Sequence, residues 1–247
     1  MLKAGAISRV PFVGRSLWLA SFLSGLWTPD FQSQGKLRKS FTPPIGSWMR
    51  SGLALFVLWA TASAGEFNEV LNVGDAAPAW SNLPGTDGKS HSLADYQGKV
   101  AVVLIFTCAS CPTAVDYEER INAFAKRWGG ANGQVAVVAV CVNRVKGDSL
   151  IDLTERAKQR QFAFDYLYDE SQKIAKDYGA IFTPEFYVLD RDRKVVYMGA
   201  FDDKTDATLV QQRHVEAAVA SVLKNQAPIL KETIARGCRV RYARERK

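Results

Sequence analysis

The chain has 247 residues, of which 47% are hydrophobic and 23% charged, as in ordinary globular proteins. A chain of this length can bury a sizeable core without metal sites or disulfides, so its four cysteines are not needed to hold the fold together. The net charge of +7 comes from the termini, since residues 1–64 contain seven basic residues and one acidic residue. This distribution does not indicate a basic domain face, and we expect no nucleic-acid partner.

Residues 49–64 have the pattern of a secretory signal peptide. Met49-Arg50 precedes the apolar run 53–60, and Ala62-Ser63-Ala64 then supplies the small residues of a cleavage site. The run is too short to span a bilayer comfortably, and a buried core helix is the alternative interpretation. The pattern predicts a periplasmic or extracellular protein that meets a membrane only through its export signal, or stays tethered if that signal is uncleaved. Residues 1–48 are unassigned and are interpreted as a mis-assigned start or a weak membrane-surface segment.

The first half of the chain that follows the predicted signal peptide, from residue 65, contains two continuous apolar runs, 100–106 and 135–142. Such runs are typical of strands buried on both faces of a sheet. Between them, apolar residues at helical spacing predict a helix over 112–128. The turn-rich stretch 84–89 predicts a hairpin before the first of these strands.

The second half continues the alternation of helices and strands. It predicts a helix from Leu150, a strand over 164–168, a short helix around 174–178, a hairpin of 186–189 with 195–198, and a last helix over 206–223. Parallel strands alternating with helices indicate the α/β class, with a central mixed sheet flanked by helices and an N-terminal hairpin extension. We assign residues 65–224 to this domain and 225–247 to a basic, solvated C-terminal tail that contains Cys238.

The Cys108-Ala109-Ser110-Cys111 sequence joins the first buried strand to the first helix. A thiol at a helix N-terminus lies at the positive end of the peptide dipoles, which favours its thiolate. Two intervening residues allow the thiols to close a small disulfide ring. We therefore expect Cys108, at the exposed strand end, to be the attacking nucleophile and Cys111 to resolve the mixed disulfide.

Two other interpretations of this pair are an inert disulfide and half of a zinc site. A zinc site needs a second Cys or His pair at ligand spacing. The remaining candidates are single and scattered: His91, Cys141, His214 and Cys238. We therefore expect no metal and no other cofactor.

Thr183-Pro184 stands before the predicted hairpin of the second half. A Cys-x-x-Cys sequence after a buried strand, followed by Thr-Pro before a hairpin, resembles the thioredoxin-like superfamily. The resemblance implies a thioredoxin-like fold in which a cis Pro184 packs against the cysteines and Thr183 offers backbone hydrogen bonds to a substrate strand. An ordinary trans proline at a strand start is the alternative.

Within that superfamily, residues 106–113, 117–120, 166–170 and 183–185 resemble the redoxin group. This group includes the alkyl-hydroperoxide-reductase/thiol-specific-antioxidant proteins and exported thiol–disulfide oxidoreductases. The resemblance implies an exported thiol–disulfide oxidoreductase that exchanges with protein or small-molecule thiols or with a thioredoxin-type electron donor.

Two further functions stay open. A peroxiredoxin-like thiol peroxidase is the first, because Cys111-Pro112-Thr113 aligns with the peroxidatic stretch of that class, although Cys108 replaces its activating Thr. The second is a non-catalytic module with a structural disulfide.

Cys141 and Cys238 are candidate accessory thiols. Cys141 ends the second parallel strand, and because parallel neighbours finish at the same sheet edge it is expected near Cys108. A small buried hydrophobic residue is the plainer interpretation of Cys141. Cys238 is expected to pair with Cys141, to act as a second resolving thiol or to bridge two chains, and the sequence leaves both this choice and the oligomeric state open.

Overall fold

The computed structural model describes residues 65–130 and 133–243. The predicted signal peptide and the extension before it lie outside these residues. Among the residues described, no helix is both long and apolar enough to cross a membrane.

The structure alternates strands and helices along the chain. The strands are β1 (Leu83–Pro84), β2 (Ser90–His91), β3 (Ala101–Phe106), β4 (Val135–Cys141), β5 (Asp165–Tyr168), β6 (Phe182–Thr183), β7 (Glu185–Leu189), β8 (Val195–Gly199) and β9 (Cys238–Arg239). The helices are α1 (Pro112–Trp128), α2 (Leu150–Arg160), α3 (Lys173–Asp177) and α4 (His214–Leu223), with short 3-10 turns at Leu93–Tyr96 and Ala207–Leu209.

Five strands form the central sheet in the order β5-β4-β3-β7-β8. β3, β4 and β5 run parallel, whereas β7 lies antiparallel to β3 and β8 antiparallel to β7. β1 and β2 form a separate two-stranded hairpin. The predicted α/β class, the mixed sheet and the N-terminal hairpin are therefore confirmed.

Both faces of the sheet are covered, which explains why β3 and β4 are apolar throughout. Val103 and Ile105 of β3 pack on the side of α1, α2 and α4, whereas Leu104 and Phe106 pack on the side of α3 and the N-terminal segment. All six residues of β3 are 0% exposed. Burial of each large apolar side chain stabilises the fold by about 1.5–3 kcal/mol, so this strand is a rigid base for the residues that follow it.

The predicted last helix over 206–223 is wrong in its first part. Asp206 caps a single 3-10 turn, and the backbone amides of Gln211 and Gln212 then donate to the Asp203 carboxylate at 2.9 and 3.0 Å. These amides satisfy their hydrogen bonds outside a helix, so α4 begins only at His214.

The C-terminal segment, defined as residues 235–243, is not the solvated tail that its charge suggested. β9 pairs antiparallel with β6, with Thr183 opposite Cys238. Ala235 and Val240 are each only 7% exposed. The sequence missed this pairing because β6 and β9 have two residues each, too few to show a strand pattern.

Candidate active site

The two cysteines of the Cys-x-x-Cys sequence lie where β3 ends and α1 begins. Cys111 is the N-cap residue of α1, and the Ala114 backbone amide donates to its sulfur at 3.4 Å. Pro112 occupies the first helical position, where a missing N–H costs no intrahelical hydrogen bond. Cys108 and Cys111 are each 2% exposed, and all four cysteines of the chain are free thiols.

Thr183 lies against both sulfurs. The Cys111 thiol donates to the Thr183 carbonyl oxygen at 3.2 Å, and the Cys108 sulfur is 3.5 Å from the Thr183 hydroxyl. The Thr183–Pro184 peptide bond is cis. The expected cis proline beside the cysteines is therefore confirmed.

The two thiols differ in acidity, and the order is opposite to the one expected. Burial raises the pKa of Cys108, and the nearby negative charge of Asp148 adds to the effect. Burial also opposes ionisation of Cys111, but hydrogen bonds from the Cys238 thiol and from the Ala114 backbone outweigh it and lower the Cys111 pKa. The expectation of an exposed, acidic Cys108 is therefore wrong, because the Cys108 sulfur is buried and the residue that caps the helix is Cys111.

Asp148 is a site residue that the sequence analysis missed. Its side chain is fully buried, and its Oδ1 accepts hydrogen bonds from the backbone amides of Ala109 and Ser110, both at 2.8 Å. Its Oδ2 accepts from the Ser110 hydroxyl at 2.6 Å and from the Asn143 amide at 3.2 Å. One carboxylate therefore fixes both residues that separate the two cysteines.

In sequence, Asp148 precedes a predicted helix and looks like part of its cap. The actual cap is Ser149, whose hydroxyl accepts from the Asp152 amide. One signal pointed to Asp148: it stands in the loop after a parallel strand, at the sheet edge where sites gather in α/β folds.

Glu185 is a second buried carboxylate that was missed. Its Oε2 accepts from the backbone amides of Ile181 and Phe182 at 2.8 and 2.9 Å, and the Tyr187 hydroxyl donates to its Oε1 at 2.8 Å. Burial raises the pKa of Glu185 despite these hydrogen bonds. Glu185 thus organises the loop that presents Thr183 to the sulfurs.

The two candidate accessory thiols occupy different surroundings. Cys141 is 0% exposed in the same core cluster as Cys108, and burial raises its pKa strongly, as expected for a small buried hydrophobic residue. Cys238 is half-buried, and its thiol donates to Cys111, which raises the Cys238 pKa to about 11. The structure thus brings Cys238 to the site, whereas a Cys141–Cys238 pair finds no support in these contacts.

The chain resembles several known proteins. The AhpC/TSA family matches residues 73–198. No curated protein is similar enough to this chain to count as a relative. Among solved structures, the hypothetical protein SMc02350 from Sinorhizobium meliloti 1021 is 30% identical, with a TM-score of 0.65, over 70% of this chain and 96% of that chain.

Two further structures are similar. An uncharacterized conserved protein from Geobacillus kaustophilus is 28% identical, with a TM-score of 0.66, over 72% of this chain and 96% of that chain. Peroxidoxin BcpB from Mycobacterium tuberculosis is 22% identical, with a TM-score of 0.49, over 62% of this chain and 96% of that chain. With a match that spans half of its residues and a thioredoxin-like arrangement of sheet, helices and cis proline, the chain belongs to the AhpC/TSA family.

Proposed function

We propose that the protein is an exported thiol–disulfide oxidoreductase in which Cys108 and Cys111 alternate between a dithiol and a disulfide. The observation that carries this proposal is the contact of both sulfurs with Thr183, directly before the cis Pro184. Membership of the AhpC/TSA family indicates thiol-based redox chemistry. Export rests on the signal-peptide pattern of residues 49–64.

In the proposed cycle, the Cys111 thiolate attacks one sulfur of a substrate disulfide. The substrate S–S bond breaks, a mixed disulfide forms on Cys111, and the first substrate thiolate leaves. Cys108 then attacks the Cys111 sulfur, so that the Cys108–Cys111 disulfide forms and the second substrate thiol leaves. The substrate gains two electrons and the protein loses two, which a thioredoxin-type donor or another dithiol returns.

The electrostatics of the site support this order of events. The lowered pKa of Cys111 makes it the better attacking thiolate, which reverses the roles expected from sequence. The buried carboxylate of Asp148 disfavours a thiolate on Cys108. Cys108 therefore stays protonated until Cys111 has reacted.

A thiol peroxidase is the second candidate, and the acidity of Cys111 favours it. In that reaction the Cys111 thiolate attacks a hydroperoxide oxygen, the O–O bond breaks, the alcohol or water leaves, and a sulfenic acid forms on Cys111. Cys108 then attacks this sulfur and releases water, which leaves the Cys108–Cys111 disulfide. The two functions share residues and differ in the substrate that Cys111 attacks.

Trapping the mixed disulfide tests the proposal. The C108S and C111S variants are made in a Cys238→Ser background, which keeps an O–H donor beside Cys111 but removes the third thiol that would resolve an adduct there. They are incubated with a disulfide-bonded protein such as insulin, quenched in acid and analysed by mass spectrometry without reductant. We expect C108S to accumulate an adduct on Cys111, C111S to accumulate several-fold less, and both to lose insulin reduction. Cys141→Ala serves as the control that keeps the pair intact.

Three results would contradict the proposal or part of it. An adduct on Cys108 of the C111S variant alone would return the attacking role to Cys108. Hydroperoxide turnover that depends on Cys111, without exchange with any disulfide, would establish the peroxidase. If neither reaction occurs, the cysteines form a structural pair in a non-catalytic module.

A further inference from the structure

The C-terminal segment is fastened to the loops that surround the two cysteines. The Val240 backbone amide donates to the Ile181 carbonyl oxygen at 2.8 Å, and the Arg241 amide donates to the Asn143 side chain at 2.9 Å. The Tyr242 hydroxyl donates to the Ala180 carbonyl oxygen at 2.7 Å. The segment is therefore an ordered part of the site.

This segment occupies the edge that a partner strand would use. Proteins bind extended peptides by adding them to an exposed strand edge, where backbone hydrogen bonds form. Here β9 of the same chain pairs with β6, and the Thr183 hydroxyl donates to the Cys238 carbonyl oxygen at 3.3 Å. The chain thus places one of its own cysteines opposite the residue that contacts both site thiols.

Gly237 allows this close approach. A Cβ atom at Gly237 would lie 1.9 Å from the Thr183 carbonyl oxygen, the same oxygen that accepts from the Cys111 thiol. No side chain larger than hydrogen fits there unless the strand moves. The position of Cys238 therefore depends on glycine at position 237.

Cys238 packs against the core cluster that contains Cys108 and Cys111. The raised pKa of Cys238, for which a hydrogen bond to Cys111 is the largest cause, agrees with this position. Cys108 and Cys111 are each 2% exposed, whereas Cys238 is half-buried. Of these three thiols, Cys238 is the one that an external thiol reaches most easily.

We propose that Cys238 is a third redox-active thiol, which takes over the disulfide from the Cys108–Cys111 pair and thereby locks the C-terminal segment across the site. In this step the Cys238 sulfur attacks the Cys111 sulfur of the oxidised pair. The Cys108–Cys111 bond breaks, the Cys111–Cys238 bond forms, and the Cys238 proton passes to the departing Cys108 sulfur. The exchange involves no net oxidation, and it rests on the proposed function only for the initial disulfide.

The Cys111–Cys238 disulfide gives the half-buried Cys238 sulfur a role when the oxidised protein is reduced again. An external thiolate attacks Cys238, and the mixed disulfide that results on Cys238 leaves Cys111 as a thiolate again. The C-terminal segment is then released from its covalent link, and β9 is held to β6 by hydrogen bonds alone, as it is in the structure with free thiols.

Disulfide mapping separates this proposal from the proposed function. Trypsin leaves Cys108 and Cys111 together in peptide 100–120 and Cys238 in peptide 237–239. A Cys111–Cys238 bond therefore joins two peptides, whereas a Cys108–Cys111 bond stays within one. The full chain is oxidised with one equivalent of diamide, quenched in acid and alkylated before digestion.

We expect the joined peptides in the wild-type protein and, in higher yield, in C108S. Gly237→Ala keeps every thiol but displaces the strand, and we expect about tenfold less of the joined peptides because packed sites resist an added methyl group. Gly98→Ala is the matched control, since a Cβ there meets nothing within 4 Å.

Two outcomes overturn the proposal, and they are distinguishable. A wild-type protein that forms the bond within peptide 100–120, together with a C108S variant that never joins the two peptides, excludes Cys238 while leaving the proposed function intact. A wild-type protein that forms neither disulfide overturns the proposed function, and the exchange step with it.

Discussion

The sulfur of Cys111 lies 3.2 Å from the carbonyl oxygen of Thr183, at the point where a helix begins and a cis peptide follows. This contact joins two segments that are 72 residues apart in the chain. It places the acidic thiol beside β6, the strand that pairs with β9 of the C-terminal segment. The contact therefore joins the start of α1 to the strand on which the C-terminal segment lies.

The first prediction concerns the acidity of Cys111. A hydrogen bond from the Cys238 thiol contributes to its lowered pKa, so Cys238→Ala should raise that pKa. Cys238→Ser keeps an O–H donor and should raise it less. The pH dependence of Cys111 alkylation, followed by mass spectrometry, measures the effect, and alkylation at neutral pH should be several-fold slower in Cys238→Ala. An unchanged profile in Cys238→Ala would show that the contact does not act on Cys111.

The second prediction separates two neighbours of Cys108. The negative charge of Asp148 raises the Cys108 pKa, whereas the Ser110 hydroxyl lowers it through a hydrogen bond. Asp148→Asn should therefore lower the Cys108 pKa, and Ser110→Ala should raise it. The measurement is the pH profile of Cys108 alkylation in a Cys111→Ser background. Shifts of the same sign in both variants would contradict the assignment.

The third prediction concerns the stability of the loop that carries Thr183. Burial raises the folded-state pKa of Glu185. Its contribution to the free energy of unfolding is therefore fully present below the ordinary carboxyl pKa and is lost as the pH rises through the raised pKa. The glutamine of Glu185→Gln has no charge at any pH, so this variant does not lose that stability. The free energy of unfolding of Glu185→Gln minus that of the wild type should therefore increase over that pH range. Urea unfolding at several pH values measures this difference.

Glu185→Ala is the contrasting variant. It leaves the backbone amides of Ile181 and Phe182 without their acceptor, and an unsatisfied buried group costs about 1–3 kcal/mol. We therefore expect it to be less stable than wild type at every pH. A Glu185→Gln variant that loses stability with rising pH, relative to wild type, would contradict the account.

The fourth prediction tests the packing that supports the site. Leu153 of α2 is fully buried in the core cluster that contains Cys108 and Cys111, so Leu153→Ala should lower the free energy of unfolding by about 2–5 kcal/mol. Ile151, on the same helix, is 80% exposed, and its replacement by Ala should change stability by less than about 0.5 kcal/mol. Equal losses in both variants would show that α2 does not pack as described.

The sequence predicts the helices and strands that have a local pattern of apolar residues. It does not predict strands that are defined only by pairing with a distant part of the chain. The apolar runs of β3 and β4 and the spacing along α1 each indicate one structure by themselves, and α1 begins at Pro112 and ends at Trp128 as predicted. β9 has two residues and is fixed only by its hydrogen bonds to β6. No periodicity in a basic tail indicates that pairing.

The same difference appears within the site. The spacing of Cys108 and Cys111 and the Thr183-Pro184 pair are short motifs, and the structure brings them together. Asp148 accepts hydrogen bonds from Ala109 and Ser110, which precede it by 39 and 38 positions in the chain. No local sequence pattern reports such a contact. The acidity of the two thiols depends on the burial of Cys108 and on the hydrogen bond from Cys238 to Cys111, neither of which a local sequence pattern reports.

The most direct test of the central claim is a redox titration of the full chain in thiol–disulfide buffers, with acid quenching and mass spectrometry of peptide 100–120. The account predicts reversible formation of a disulfide that uses Cys111, with a midpoint within the range of thioredoxin-like oxidoreductases, about −270 to −120 mV. A disulfide that persists below about −300 mV, as structural disulfides do, or a peptide that stays fully reduced throughout, would contradict it.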